Sequence, residues 1–286
     1  MNQPCWIVFA VLAVSVSGRA GQNLFLEPMP PEQQADAIEK TGTGPIAIEP
    51  KFRTLPANFL KFYLHFPEKM ERGSAFEHLS LFEISEDGKT MKRVLDPFRE
   101  VELWDETQKR MTLWFHPGRQ KPGVNLNVEF GPILETGKWY RLDISEQWKT
   151  ESGERLEGGS AMVFRAGAKD TWQPKPSRWQ FEGAKLIPLG SWNPRIEEQL
   201  DPVSLRTSLK IRSADGEEFQ PRVSGDLVLQ EPDGKSLSPG EYELVVSPKL
   251  EDLAGNSIAR PFNVDLEKNP NFKPRTEPVV VQFEIP

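Results

Sequence analysis

The chain has 286 residues, enough for two domains that each bury a core, and its 26 prolines and 21 glycines favour short strands and turns over long helices. Its formal charge of -7 offers no basic face to release counterions, which excludes nucleic acid and anionic membrane surfaces as expected partners. With 3 histidines, 1 cysteine and no HExxH or CxxC spacing, the chain lacks the ligand set of a zinc site.

Residues 6–16 form an apolar run that would extend roughly 16 Å as a helix, about half a bilayer core. Too short to span, and followed by Gly18-Arg-Ala20, it predicts a secretory signal peptide over 1–20, cleaved after Ala20, with no membrane span in the mature chain. The leading residues carry no Lys or Arg, and an uncleaved short anchor is the alternative. Cys5 would leave with the signal, so no disulfide is expected, and no Asn-x-Ser/Thr sequon is present. That combination points to a bacterial periplasmic or cell-surface protein. Residues 21–50 read as an extended lead-in, in which 31–40 make at most a frayed helical turn.

A first domain is expected over 51–167. Its opening strand, 60–66, places Leu60, Phe62, Leu64 and Phe66 on one face and Lys61, Tyr63 and His65 on the other. Further strands are predicted at 79–84, 100–104, 111–115 and 139–144, separated by Asp87-Gly88, Asp96-Pro97, Pro117-Gly118, Pro122-Gly123 and Gly131-Pro132. The junction 168–184, with Trp172, Pro174, Pro176 and Trp179, reads as a linker packed against a domain. A second domain follows over 185–268, with strands at 186–189, 209–211, 221–223, 227–229, 241–246 and 261–266. Tyr242, Leu244 and Val246, and Phe262, Val264 and Leu266, are its clearest core sets. The Pro-rich tail 269–286 ends in an apolar run, 279–285, that completes a sheet of its own chain or of a neighbour.

The two halves repeat. With Tyr140 laid on Tyr242, Leu142 meets Leu244, Ile144 meets Val246, Trp148 meets Leu250 and Gly153 meets Gly255 without a gap. Upstream, 70–81 reads against 200–211, and an Asp-Gly turn follows each, at Asp87-Gly88 and Asp215-Gly216. A period of about a hundred residues suits one small β domain and is too long for a solenoid unit. The expected fold is all-β: two tandem β-sandwiches with mainly antiparallel pairing.

The first strand running into Phe66-Pro-Glu-Lys-Met70 resembles the Phe-Ser-Glu-Pro-Met opening of the bacterial Ig-like domains of the SbsA type, known from surface-layer proteins. Gly240-x-Tyr-x-Leu-x-Val246 with Asp252-Leu-Ala-Gly-Asn256 is similar to their closing strand and turn. The resemblance covers residues 46–266, departing in the first half at Thr150-Glu-Ser-Gly-Glu154 and in the longer middle 104–137. It implies Ig-like sandwiches that serve as spacers and surface modules.

Chemistry is sparse. Gly158-Gly-Ser160-Ala-Met162 lacks the last glycine of a nucleophile elbow, and Gly42-Thr-Gly44 does not follow a strand. His65 and His116 fall on outer strand faces, as solvated histidines do. Asp252 and Asn256 suit an Asx-type turn, with a calcium-stabilised adhesive spacer using Glu251, Asp252, Asn256 and Asp265 as the alternative; no loop has EF-hand spacing. No catalytic set, resident metal or cofactor is expected. The candidate ligand-binding residues are aromatic: Tyr63, Trp104, Trp114 and Trp139 point outward by alternation and would stack sugar rings, or else pack against the 104–137 loop, the linker or the other domain. The expected role is a non-catalytic module of the cell envelope whose partner is an envelope protein or a glycan.

Overall fold

The computed structural model describes residues 45–120, 130–191, 197–263 and 271–286. The expected signal peptide, the turn at 31–40, Gly42-Thr-Gly44, Pro122-Gly123, Val264, Asp265 and Leu266 lie outside the described residues.

The first sandwich comprises β1 (Ala47–Glu49), β2 (Thr54–Pro56), β3 (Lys61–His65), β4 (Leu79–Ile84), β5 (Met91–Arg93), β6 (Leu103–Trp104), β7 (Arg110–Trp114), β8 (Trp139–Ile144) and β9 (Ser160–Gly167). One sheet runs β1-β3-β7-β6 and the other β2-β9-β8-β4-β5. All pairs are antiparallel except β2 with β9. Period-two alternation sends Phe62 and Leu64, Met111 and Leu113, and Tyr140, Leu142 and Ile144 into the space between the sheets. There Phe62 lies at 4.6 Å from Phe59 and 5.6 Å from both Phe115 and Phe164, in edge-on and tilted contacts.

β9 was not foreseen. Its inward residues Ser160, Met162, Phe164 and Ala166 alternate as a strand should, but three of the four are small or unbranched, and a glycine pair precedes them. The strand expected over 100–104 shortens to β6, because Glu102 is held elsewhere: its carboxylate accepts from the Gly73 and Ala75 amides and from Trp104 Nε1.

The second sandwich comprises β10 (Gln180–Glu182), β11 (Lys185–Ile187), β12 (Leu209–Ser213), β13 (Glu218–Phe219), β14 (Arg222–Val223), β15 (Leu229–Gln230), β16 (Gly240–Val246) and β17 (Val279–Ile285). Its main sheet, β13-β12-β16-β17, is antiparallel throughout and stands with the hairpins β10-β11 and β14-β15 around a second core. Leu186, Leu209, Ile211, Leu229, Leu244, Val246 and Leu250 fill that core, and Trp179 is buried with them, whereas Trp172 is 54% exposed. Tyr242 is partly buried. Pro261, Phe262 and Asn263 are not in a strand; the place beside β16 is taken by the C-terminal strand β17, so 279–285 completes a sheet of its own chain. A helix, Pro202–Ser208, also escaped the reading by periodicity, since only Leu205 and Ser208 of its seven residues are buried.

The backbone frame recurs between the halves. Leu79 pairs with Ile144 and Leu209 with Val246. Bridges join Met70 to Thr150 and Leu200 to Asp252. The Leu156 amide donates to Trp148 O at 3.2 Å, and Ile258 to Leu250 at 3.0 Å. These are the positions that the sequence offset superposes. The architecture is thus all-β and mainly antiparallel, with a β-sandwich in each half of the described residues.

Candidate functional site

A dense polar constellation lies where the two sandwiches meet. β3 supplies one side of it. Its inward residues Phe62 and Leu64 anchor the strand in the first core, which obliges Lys61, Tyr63 and His65 to face away from it. Over that outer face sit the start of the Pro202–Ser208 helix and the loop after β16.

Asp201 caps the helix, accepting from the Ser204 amide at 2.7 Å, with Pro202 at the first helical position. The same carboxylate accepts the Tyr63 hydroxyl, at 2.9 Å to each oxygen. Burial and then the Asp201 charge push the Tyr63 phenol well above its ordinary range, so it acts as a fixed donor. Lys61 Nζ lies 2.9 Å from Glu251 Oε2 and 3.5 Å from Asp201 Oδ2, and stands 5.0 Å above the Trp114 ring. Beside this group Arg206 holds Glu49 through two nitrogens, at 2.7 and 3.2 Å, and His65 Nε2 meets the same carboxylate at 2.9 Å. Burial alone would raise Glu49, but the hydrogen bonds from His65 and Arg206 and the Arg206 charge outweigh it and bring its carboxyl down to about 2.

The turn 252–256 makes the second contact. Gly255 takes φ +78, where glycine is unstrained, and a Cβ there would run into Leu60 and Phe262. Asp252 Oδ1 accepts from the amides of Ala254 at 2.8 Å and Asn256 at 2.9 Å, and Oδ2 accepts from Asn256 Nδ2 at 2.8 Å. The Asx-type reading therefore describes this turn, and Glu251 is paired with Lys61. Leu253 is 3% exposed and belongs to the core of the first sandwich, its carbonyl accepting from the Leu60 amide at 3.2 Å. Asn58 and Asn256 both reach the backbone of Asp170, tying the junction to each side.

Three carboxyls at this end have raised pKa values. Burial is the main cause in each; the Asp170 charge adds to it for Asp252 and for Glu198, which is pushed up to about 8. A cleft of about 700 Å³ opens along the seam, bordered by Glu49, Lys51, Lys185, Glu198, Arg206 and Leu227.

No protein-family model matches the chain, and no curated protein matches it. Among solved structures, the N-terminal part of the bacterial S-layer protein SbsC is similar over 75% of this chain and 43% of its own, at 13% identity and a TM-score of 0.29. Native alpha-2-macroglobulin from E. coli is similar over 73% of this chain and 13% of its own, at 10% identity and a TM-score of 0.26. Its portion spanning domains MG0-NIE-MG1 is similar over 87% and 74%, at 8% identity and a TM-score of 0.26. The chain thus spans less than half the length of the first two.

The four aromatics singled out from the sequence do not form one platform. Tyr63 points outward from its own sandwich, as alternation requires, but is 4% exposed because the second sandwich covers it. Trp104 points inward: opposite Met111 in the register, it packs on Phe66 at 5.4 Å and Trp148 at 6.1 Å. The outward expectation failed there because β6 holds only Leu103 and Trp104 and its register sets Trp104 opposite the inward-facing Met111. Trp114 is half-buried opposite Lys61. Trp139 belongs to the other sheet, with the Arg53 guanidinium 5.5 Å over its ring.

Asp201, Arg206, Glu49 and Leu253 were missed by sequence reasoning. The Asp201-Pro202 pair is an N-cap signature that was legible; the other three become visible only once the halves are docked.

Proposed function

We propose that this chain is a secreted, non-catalytic structural or interaction module of the bacterial cell envelope, built from two SbsA-type Ig-like domains near residues 51–167 and 185–268. The observation that carries this reading is the fate of the polar side chains at the seam. Tyr63, Lys61 and Arg206 are each spent on holding one sandwich to the other, and Asn58 and Asn256 on tying the junction to each. Such a join suits a part that transmits position between its ends. Each of the two half-buried indoles on outer strand faces has a cation over its ring, Lys61 over Trp114 and Arg53 over Trp139.

The test is cosedimentation of the purified chain with isolated envelope fragments, with soluble products assayed in parallel. Retention without release of envelope polymer supports the module; release that grows with protein concentration and time overturns it. Glycan binding is the competing reading, favoured by the position of Trp114 and Trp139 on outer faces. Trp114→Ala and Trp139→Ala would then lose retention on polysaccharide while melting at an unchanged temperature.

A further inference from the structure

The last strand of each main sheet reaches its place by a different route. In the first sandwich β9 lies beside β8 after a connection of residues 145–159. In the second, β17 lies beside β16 after residues 247–278, more than twice as far along the chain.

β17 is paired along its whole length, from Val246 with Val279 to Gly240 with Ile285. Phe283 is its buried anchor, stacked 4.4 Å from Phe181 and 5.5 Å from Tyr242. Val279, Val281 and Ile285 pack on the same core from the same face. The stretch that leads into it, 271–278, is exposed at every residue but Phe272. Among the described residues, that stretch has one backbone hydrogen bond to the body, from the Arg275 amide to Ala259 O at 3.1 Å. A seven-residue strand with one aromatic anchor therefore hangs on a tether, 271–278, that among the described residues is barely attached.

We propose that β17 exchanges between copies of this chain, the strand of one molecule filling the place beside β16 of a second. The occupant is a second copy because the slot fits this sequence side chain by side chain. Tyr242 and Phe181 receive Phe283, Leu244 faces Val281, and Val246 faces Val279. Every copy brings one strand and one slot, so exchange leaves none unfilled. A tether of this kind presents its own strand at an effective concentration on the order of mM, so exchange gains ground where copies are crowded to that density. Glu241 opposes Glu284 at the far end of the pairing, a like pair that loosens the closing end.

This inference deepens the interaction-module reading by naming a partner. It is measured by strand exchange rather than by envelope retention, so either can fail alone.

Glu243 and Gln282 are register partners with exposed or half-exposed side chains, which makes them the place to test it. In a Cys5→Ser background of the full chain, Glu243→Cys and Gln282→Cys proteins are mixed under oxidised glutathione. Exchange predicts a mixed disulfide of doubled mass that increases with protein concentration. It also predicts little such product from the off-register pair Glu241→Cys with Gln282→Cys. The chain carrying both Glu243→Cys and Gln282→Cys, once oxidised, should close on itself and stop forming mixed species. Absence of the mixed disulfide at every concentration, or equal yields from registered and off-register pairs, overturns the proposal.

Discussion

The turns at 150–154 and 252–256 share a backbone and differ in use. In both, the first residue's amide bonds the carbonyl of the fifth, at 2.7 Å from Thr150 to Glu154 and 3.0 Å from Asp252 to Asn256. In both, the fourth residue is a glycine at positive φ. The first turn is exposed at 151–154 and satisfied by local hydroxyls, Thr150 to Ser152 at 2.8 Å. The second is buried under the first sandwich and carries Leu253 into its core, where the superposed residue, Glu151, faces solvent. A repeated backbone frame therefore sets where a turn lies, and the side chains on it set whether that turn becomes a joint.

The largest expected effect tests that contrast directly. Leu253→Ala should cost about 2–5 kcal/mol by emptying a buried site, while Glu151→Ala should stay within about 0.5 kcal/mol. Denaturant titration of both variants measures the difference, and equal costs would mean that the two turns are used alike. Next, Tyr63→Phe leaves the buried Asp201 without its phenol donor and should cost about 1.5–3 kcal/mol, since a hydrogen bond to a charged group is lost. Scattering from the same variant should show whether the sandwiches also separate; an unchanged stability would place the joint elsewhere.

Acidity sharpens the comparison further. Glu198 has an ordinary value of 4.5 and is pushed up to about 8 in the fold, so the unfolded chain ionises first as pH rises. The stability it allows is full below about 4.5, falls between about 4.5 and 8, and stays low above that. Glu49 acts in the opposite sense: held at about 2, it contributes above 4.5 and loses that contribution as pH falls towards 2. The melting midpoint should therefore decline on both sides of the ordinary carboxylate range. Glu198→Gln should flatten the alkaline arm and Glu49→Gln the acid arm, as read by melting curves from pH 3 to 9. A smaller effect is expected for Thr150→Ala, about 0.5–1.5 kcal/mol, against about 1–3 kcal/mol for Asp252→Ala, which removes the acceptor of three buried hydrogen bonds.

Much of this was legible in the amino-acid order. β4 and β8 are where alternation predicts them, and the offset that lays Tyr140 on Tyr242 also superposes the hydrogen bonds of the two turns. The aromatic readings fared less well for a definite reason. Alternation reports which side of its own sheet a residue faces and is blind to what lies beyond that side. Tyr63 faces outward and is buried all the same, whereas Trp104 sits opposite Met111 and packs on Phe66 and Trp148.

The sequence by itself determined the class of fold, the strand faces and the repeated frame, because these follow from spacing along the chain and from turn residues whose conformations are intrinsic. Tertiary structure alone decided that the second turn seats in the first core, that Tyr63 meets Asp201, and that β17 closes the sheet beside β16. Each of those joins residues far apart in the chain, and such contacts exist only once two separately formed surfaces have come together.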